Sequence, residues 1–305
     1  MDFLRPATWA DALAAKAERP DALPLQGGTD VMVELNFAAR RPAALLDLTR
    51  VRDLAEWDTV DGDTADGYTA DGGTAGGRLR VGAGVTYTRL IEELGGRLPG
   101  LAQASRTVGS PQIRNRGTVG GNLGAASPAG DAHPPLLACG AEVEAESAAR
   151  GVRMIPAADF CTGVKRSALE PDELIRAFWA PPASGPQYFA KIGPRNAMVI
   201  AVCSFAVALH PAERRAGTGL GSAAPTPRRA TAAEEFISGE LDWAGRGPLA
   251  EAAARRFGEL VADASSPIDD VRGTGDYRRH SLAVLARRTL TWAWNDHRNA
   301  GRRAS

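Results

Sequence analysis

"GSPQIRNRGTVGGNLGAASPAGDAHPP", residues 109–135, decides how the whole chain is read. Six of its residues are glycine, two are arginine, and Asp131 is its only acid. So much side-chain-poor backbone inside a folded domain leaves N–H groups open to a ligand. Gly120 and Gly121 allow close approach, while Thr118, Asn122 and Ser127 supply neutral hydrogen-bonding groups. A similar hollow lies upstream in "LQGGTDV", residues 25–31, where a short apolar strand runs into Gly27 and Gly28 and then into Thr29 and Asp30. N–H groups fanned outward at such a turn attract phosphate. Either cluster alone is equally a plain turn. Together they suit a diphosphate gripped from two sides, and so a dinucleotide, with Asp131 accepting from a ribose hydroxyl or a ring nitrogen.

The common phosphate-loop patterns are absent. No Gly-Lys-Ser/Thr follows either cluster, and "GAGVTY", residues 82–87, has tyrosine where the Rossmann fingerprint needs glycine.

At 305 residues the chain exceeds the size at which a single core stops growing, roughly 250–300 residues, so at least two domains are expected. Lysine plus arginine equals aspartate plus glutamate at 36 each, which leaves no net field to favour nucleic acid or an anionic bilayer. No run approaches the roughly 18 apolar residues of a membrane span. The start, "MDFLRPATWADAL", lacks a basic-then-apolar leader, and a cytoplasmic protein is expected. Cys139, Cys161 and Cys203 are too scattered for a disulfide framework or a metal cluster, and His133, His210, His280 and His297 show no ligating spacing. No metal site is expected.

Around the central stretch, "PATWADALAAKAE" reads as a helix begun by Thr8 and Asp11 and ended before Pro20. "AALLDL" is a buried strand. "WDTV" and "RLRVGAG" flank a Thr-Ala-Asp/Gly repeat, Asp61 to Gly77, read as an enlarged hairpin loop because the calcium-loop pattern fails at Ala65. Leu90, Ile91 and Leu94 mark a helix closed by Gly95 and Gly96. "GAEVEAESAARGVRMIPAADF" reads as antiparallel strands, and "DELIRAFWAPP" as a strand stopped by prolines. "APPASGP", residues 180–186, is the best linker. Beyond it come one long apolar element, "NAMVIAVCSFAVALHP", and three helical segments, with Trp292 and Trp294 as core or interface residues.

"LQGGTDVMVEL", "SPQIRNRGTVGGNLGAASPAGDAHPPLLA", "DELI" and "AKIGPRNAMVIAV" resemble, in order and spacing, the FAD-binding medium subunits of the molybdenum hydroxylases, the xanthine and carbon monoxide dehydrogenase group. "GSAAPTPRRA", "AEEFISG" and "PIDDVRGTGDYRRH" extend the likeness nearly to the C-terminus. The resemblance implies an α+β, two-subdomain FAD-binding fold of the PCMH type, residues 1–55 and 56–182, followed by a C-terminal domain, 187–305, of a small antiparallel sheet with a helical bundle. It implies a first wall for the FAD diphosphate from Leu25, Gln26, Gly27, Gly28, Thr29, Asp30 and Val31, and an opposing wall from Thr118, Gly120, Gly121 and Asn122. Asp131 matches an aspartate near the FAD, Val108 and Ile175 match apolar residues beside the flavin, and Lys191 matches a lysine that reaches it.

By their own chemistry some of these positions stay open. Lys191 is equally a solvated surface lysine, Val108 and Ile175 are core residues on any reading, and Arg114 and Arg116 suit phosphate or an interface equally. Arg195 has a carboxylate partner as its simplest role.

The implied function is electron transfer. FAD would collect electrons from iron–sulfur centres and hand them to NAD+ or another acceptor, most closely in the xanthine dehydrogenase manner. Molybdopterin and [2Fe–2S] clusters would sit on separate large and small subunits, since this chain has no sequence for them. No catalytic residue is expected, because the flavin carries the chemistry. Two alternatives stand beside this: a self-contained flavin oxidoreductase of the wider fold, and a non-catalytic nucleotide-binding module.

Overall fold

The computed structural model describes residues 1–37, 41–60 and 77–303. The repeat read as an enlarged loop lies outside the described residues, apart from Gly77.

The first elements are β1 (Asp2–Leu4), α1 (Trp9–Glu18), β2 (Leu23–Leu25), α2 (Val31–Asn36) and β3 (Ala44–Asp47). The three strands form a parallel sheet in the order β1-β3-β2. β3 lies in the middle and is buried at all four positions, which explains its uninterrupted apolar run. The Thr8 hydroxyl accepts from the Asp11 N–H at 3.1 Å and so starts α1, as its sequence predicts. Strand β1 has only three residues, too few for alternation to register.

A 3-10 turn at Arg52–Ala55 leads to β4 (Trp57–Val60), β5 (Arg78–Gly82), α3 (Tyr87–Glu93), α4 (Pro99–Arg106), α5 (Pro111–Arg114), α6 (Val119–Ala125) and α7 (His133–Cys139). Then come β6 (Glu142–Ser147), β7 (Gly151–Pro156), α8 (Ala157–Phe160), the short pair β8 (Cys161–Gly163) and β9 (Arg166–Ser167), and β10 (Leu174–Ala180). Strands β4-β5-β10-β6-β7 make one antiparallel sheet. Its inner face, with Leu79, Val81, Val143, Ala145 and Phe178, shares a single apolar core with Trp9, Ala44 and Leu46 of the first unit. Its other face carries charge. The Arg80 guanidinium forks onto Glu144 with two bonds of 2.8 Å, and Glu146 accepts from the Trp9 indole at 2.7 Å. These pairs satisfy carboxylates that α1 covers.

The last unit comprises β11 (Gln187–Ile192), β12 (Cys203–His210), β13 (Arg215–Gly221), α9 (Thr231–Glu240), α10 (Glu251–Asp263) and α11 (Gly275–Arg303). Its antiparallel sheet runs β11-β12-β13. β12 is buried at every position because both faces are covered. Phe205, Val207 and Leu209 pack with Phe257, Leu282 and Trp294 of the helices. Ala206 and Ala208 face Ala104 of α4 and Ala138 of α7. The small residues there let the two halves approach closely.

Two expectations need correction. α3 is not closed by a glycine cap: it ends at Glu93, Leu94 is the capping residue with φ −115°, and Gly95 has no positive φ. Arg97 and Leu98 donate to the Leu94 carbonyl instead, turning the chain straight into Pro99 and α4. The apolar element expected from residue 196 becomes a strand only at Cys203. Before it the chain loops, with Met198 at φ +49° and Met198 and Ile200 exposed. Of the two tryptophans, Trp294 is core, whereas Trp292 is 46% exposed and rests against Tyr188 at 5.9 Å.

Candidate functional site

The two glycine hollows, about ninety residues apart in sequence, touch. A Cβ on Gly27 would stand 2.1 Å from the Arg116 carbonyl oxygen and 3.0 Å from the Gly117 Cα. One on Gly117 would stand 3.3 Å from Thr29 Oγ1. Only a chain without a side chain at residue 27 brings these backbones so close. Gly28 follows with φ +75°, a left-handed conformation that glycine adopts at no steric cost. Among the described residues no acceptor is bonded to the N–H groups of Gly27, Gly28, Thr29 or Asp30. Leu25 ends β2 opposite Asp47, Asp30 makes no side-chain cap to α2, and half-buried Val31 opens that helix.

Gly120 and Gly121 divide the roles expected of both. A Cβ on Gly120 would meet the Ala83 Cβ and carbonyl oxygen at 2.5 Å, so packing of α6 on the turn after β5 already demands glycine. A Cβ on Gly121 would meet nothing nearer than Thr118 Oγ1 at 3.2 Å and otherwise faces open space. The Thr118 hydroxyl accepts from the Gly121 N–H at 2.9 Å and starts α6. Asn122 Oδ1 accepts from the Ala132 N–H at 3.3 Å, fixing α6 to the loop that carries Asp131. Ser127 is spent on its own turn, accepting from Ala129 N–H.

Asp131 is buried beneath this wall. Its Oδ2 accepts from Lys191 Nζ at 2.6 Å and from the Thr107 hydroxyl at 3.3 Å, while Oδ1 has no partner. Burial pushes the Asp131 carboxyl above the ordinary range, and the Lys191 charge and Thr107 bond oppose that shift without cancelling it. The solvated alternative for Lys191 fails. Its side chain is 8% exposed, and Nζ also donates to the carbonyls of Thr107 and Val199 at 3.1 Å each. Strand β11 thereby ties the C-terminal unit to the site, and the loop before β12 supplies one of the ties.

Ile175 of β10 is 9% exposed, with Cδ1 3.6 Å from where a Cβ on Gly124 of α6 would be. Val108 is half buried against the same core. Its loop is clamped by Arg114, whose guanidinium donates to the carbonyls of Arg106, Val108 and Gly109 at 3.1–3.2 Å. Arg114 thus serves its own loop. Arg195 likewise bonds the carbonyls of Ala197 and Met198 and, among the described residues, no carboxylate.

Sequence reasoning passed over Tyr87 and Thr107 and weighed His133 only as a metal ligand, while Gln26 was already expected in the first wall. Tyr87 is buried with its hydroxyl unpartnered, and the Gln26 Oε1 and His133 Nε2 are buried and unpartnered too. Burial holds His133 neutral, its pKa pushed down to about 4. Thr107 binds both members of the buried pair. Tyr87 stood in plain view in "GAGVTY", where it served only to exclude another motif.

Residues 1–183 match the family model for the FAD binding domain in molybdopterin dehydrogenase, and residues 188–293 match the CO dehydrogenase flavoprotein C-terminal domain. The chain belongs to the FAD-binding medium subunits of the molybdenum hydroxylases. It is 31% identical over 305 residues to the xanthine dehydrogenase FAD-binding subunit of Escherichia coli O157:H7, covering 95% of each chain. It is 28% identical to the nicotine 6-hydroxylase medium subunit of Paenarthrobacter nicotinovorans, covering 95% of this chain and 96% of that one. Among solved structures it superposes on a chain of carbon monoxide dehydrogenase from Hydrogenophaga pseudoflava with a TM-score of 0.83 at 25% identity, covering 97% and 98% of the two chains.

The medium subunit's own geometry fits FAD. Unbonded N–H groups line one hollow, Gly121 leaves space at the other, and Gln26, Tyr87 and Asp131 hold buried polar atoms that the protein does not satisfy. Among the described residues no helix is long and apolar enough to cross a membrane.

Proposed function

We propose that the hollows at 25–31 and 118–122 close on the FAD diphosphate, and that this subunit passes electrons from a small [2Fe–2S] subunit to NAD+ or another acceptor. A large molybdopterin subunit of the xanthine dehydrogenase type would oxidise the substrate. The observation that carries the proposal is the close approach of Gly27 to the Arg116 carbonyl and the Gly117 Cα, which supports a shared space between the two segments. Bound FAD supplies the redox chemistry that joins single-electron iron–sulfur donors to a two-electron acceptor.

The chain's residues bind and orient. Leu25, Gln26, Gly27, Gly28, Thr29, Asp30 and Val31 form the first wall, and Thr118, Gly120, Gly121 and Asn122 the second, with units 1–55 and 56–182 on the two sides and 187–305 behind. Within the second wall Gly121 faces the ligand and Gly120 holds the helix in place. Asp131 presents Oδ1 as an acceptor, and Lys191 holds that carboxylate in position. Val108 and Ile175 exclude water beside the ring system. The likeness over 305 residues to the E. coli xanthine dehydrogenase FAD-binding subunit supports the xanthine-type reading.

Gly121→Leu is expected to fold, melting within a few degrees of wild type, and to purify without yellow colour. Gly120→Ala is expected to lose about 1–3 kcal/mol, because its methyl group meets the Ala83 backbone. A Gly121→Leu protein with full flavin absorbance would remove the second wall from the site. In the assembled enzyme, xanthine should reduce NAD+, whereas the isolated flavin-loaded chain should show only diaphorase activity. Substrate turnover by the chain alone would favour the self-contained oxidoreductase.

The Asp131 carboxyl, raised by burial, gives a pH signature. A group whose folded value lies above its unfolded value contributes stability at low pH that is lost as pH rises through the folded value. The FAD-free protein therefore gains stability from protonation there. FAD, donating to Oδ1, favours the ionised form, so its affinity should fall as pH drops through that raised value. Fluorescence titration with FAD across acidic pH checks this, and Asp131→Asn should flatten the profile.

A further inference from the structure

We propose that the Tyr87 hydroxyl is a further contact to the dinucleotide, donating a hydrogen bond to an oxygen of its diphosphate. This rests on the reading of the two hollows as a FAD site, and goes beyond it by adding a side chain that no motif singles out.

Tyr87 is 3% exposed and opens α3, and its hydroxyl has no partner. A buried hydroxyl left unpaired is costly, and phenylalanine would fill the same volume without that cost. The hydroxyl therefore calls for an acceptor from outside the chain. Its position says which one. The Tyr87 N–H donates to the Gly117 carbonyl at 3.0 Å, and Cε2, beside the hydroxyl-bearing carbon, is 3.2 Å from where a Cβ on Gly117 would stand. Thr29 Oγ1 is 3.3 Å from that same point. The ring edge thus lies where the first hollow meets the second.

The electrostatics agree. Burial, and then the negative charges of Asp131 and Asp30, push the phenol pKa up, so the group stays a neutral donor. The buried acceptors Asp131 Oδ1 and Gln26 Oε1 are themselves unpartnered, so neither satisfies the hydroxyl. An anionic oxygen held between the hollows satisfies the hydroxyl and matches the unbonded N–H groups around it.

The test uses the full chain stripped of flavin and titrated with FAD and with ADP, which carries the diphosphate but no flavin. Tyr87→Phe should bind FAD about ten- to a hundredfold more weakly, with ADP weakened in proportion. The flavin-free variant should melt at the wild-type temperature or above it, since it has lost an unsatisfied group. Unchanged FAD affinity would overturn the inference, as would a loss confined to FAD, which places the hydroxyl away from the diphosphate. A flavin-free variant that melts several degrees lower would also overturn it, by giving the hydroxyl to the fold. Gly121→Leu run alongside separates the two levels. Loss of FAD there with none in Tyr87→Phe sinks only the tyrosine contact, and retention in both sinks the site itself.

Discussion

Gly27→Ala is expected to lose FAD and about 3 kcal/mol or more of stability together. The added methyl group would lie 2.1 Å from the Arg116 carbonyl oxygen, and every near neighbour is backbone, which cannot rotate aside. Relief requires the segment before α2 to part from the segment before α6. That movement opens the space where the diphosphate is proposed to sit, so binding and folding fail for one reason. Thermal melting and flavin absorbance on the same sample check it. An alanine variant that keeps its flavin and melts normally would mean that the hollows can separate without consequence. Gly28→Ala is a useful contrast: its Cβ meets only the Met32 side chain at 3.5 Å, so its cost comes from φ +75° alone. That cost is roughly 1–2 kcal/mol.

Lys191→Met is the second large effect. Asp131 would be left buried with its main counter-charge gone, and removing one partner of a buried pair typically costs about 3–5 kcal/mol. The nearly isosteric methionine also forfeits the bonds to Thr107 and Val199, freeing the loop before β12. Adding Asp131→Leu should restore most of the stability, because the stranded charge disappears, while FAD affinity should stay low. Denaturant unfolding of the single and double variants reads the first effect, and FAD titration the second. If Lys191→Met alone melts like wild type, the lysine is not holding the carboxylate.

What was legible in the sequence follows from where the physics is local. The strands of the five-stranded sheet, α1 with its Thr8 cap, and the two glycine clusters were readable because alternation, capping and turn chemistry act over a few residues. β12 was readable as apolar but not as a strand starting at Cys203. The loop before it is apolar as well, and is held by Lys191, whose partner Asp131 lies sixty residues away. Nothing in "AKIGPR" announces a buried lysine, since its burial depends on Thr107 and Asp131 from another unit. Gly120 and Gly121 looked alike in sequence, and only the approach of Ala83 tells them apart. Tyr87 was invisible for the same reason. Its hydroxyl is an orphan only because of what surrounds it in three dimensions.

The most direct test of the central claim is a crystal structure of the chain with FAD bound. The account predicts the diphosphate between the two hollows, within hydrogen-bonding distance of backbone N–H groups from both Gly27–Asp30 and Thr118–Asn122. A diphosphate that touches only one of these segments, or lies away from both, would contradict it.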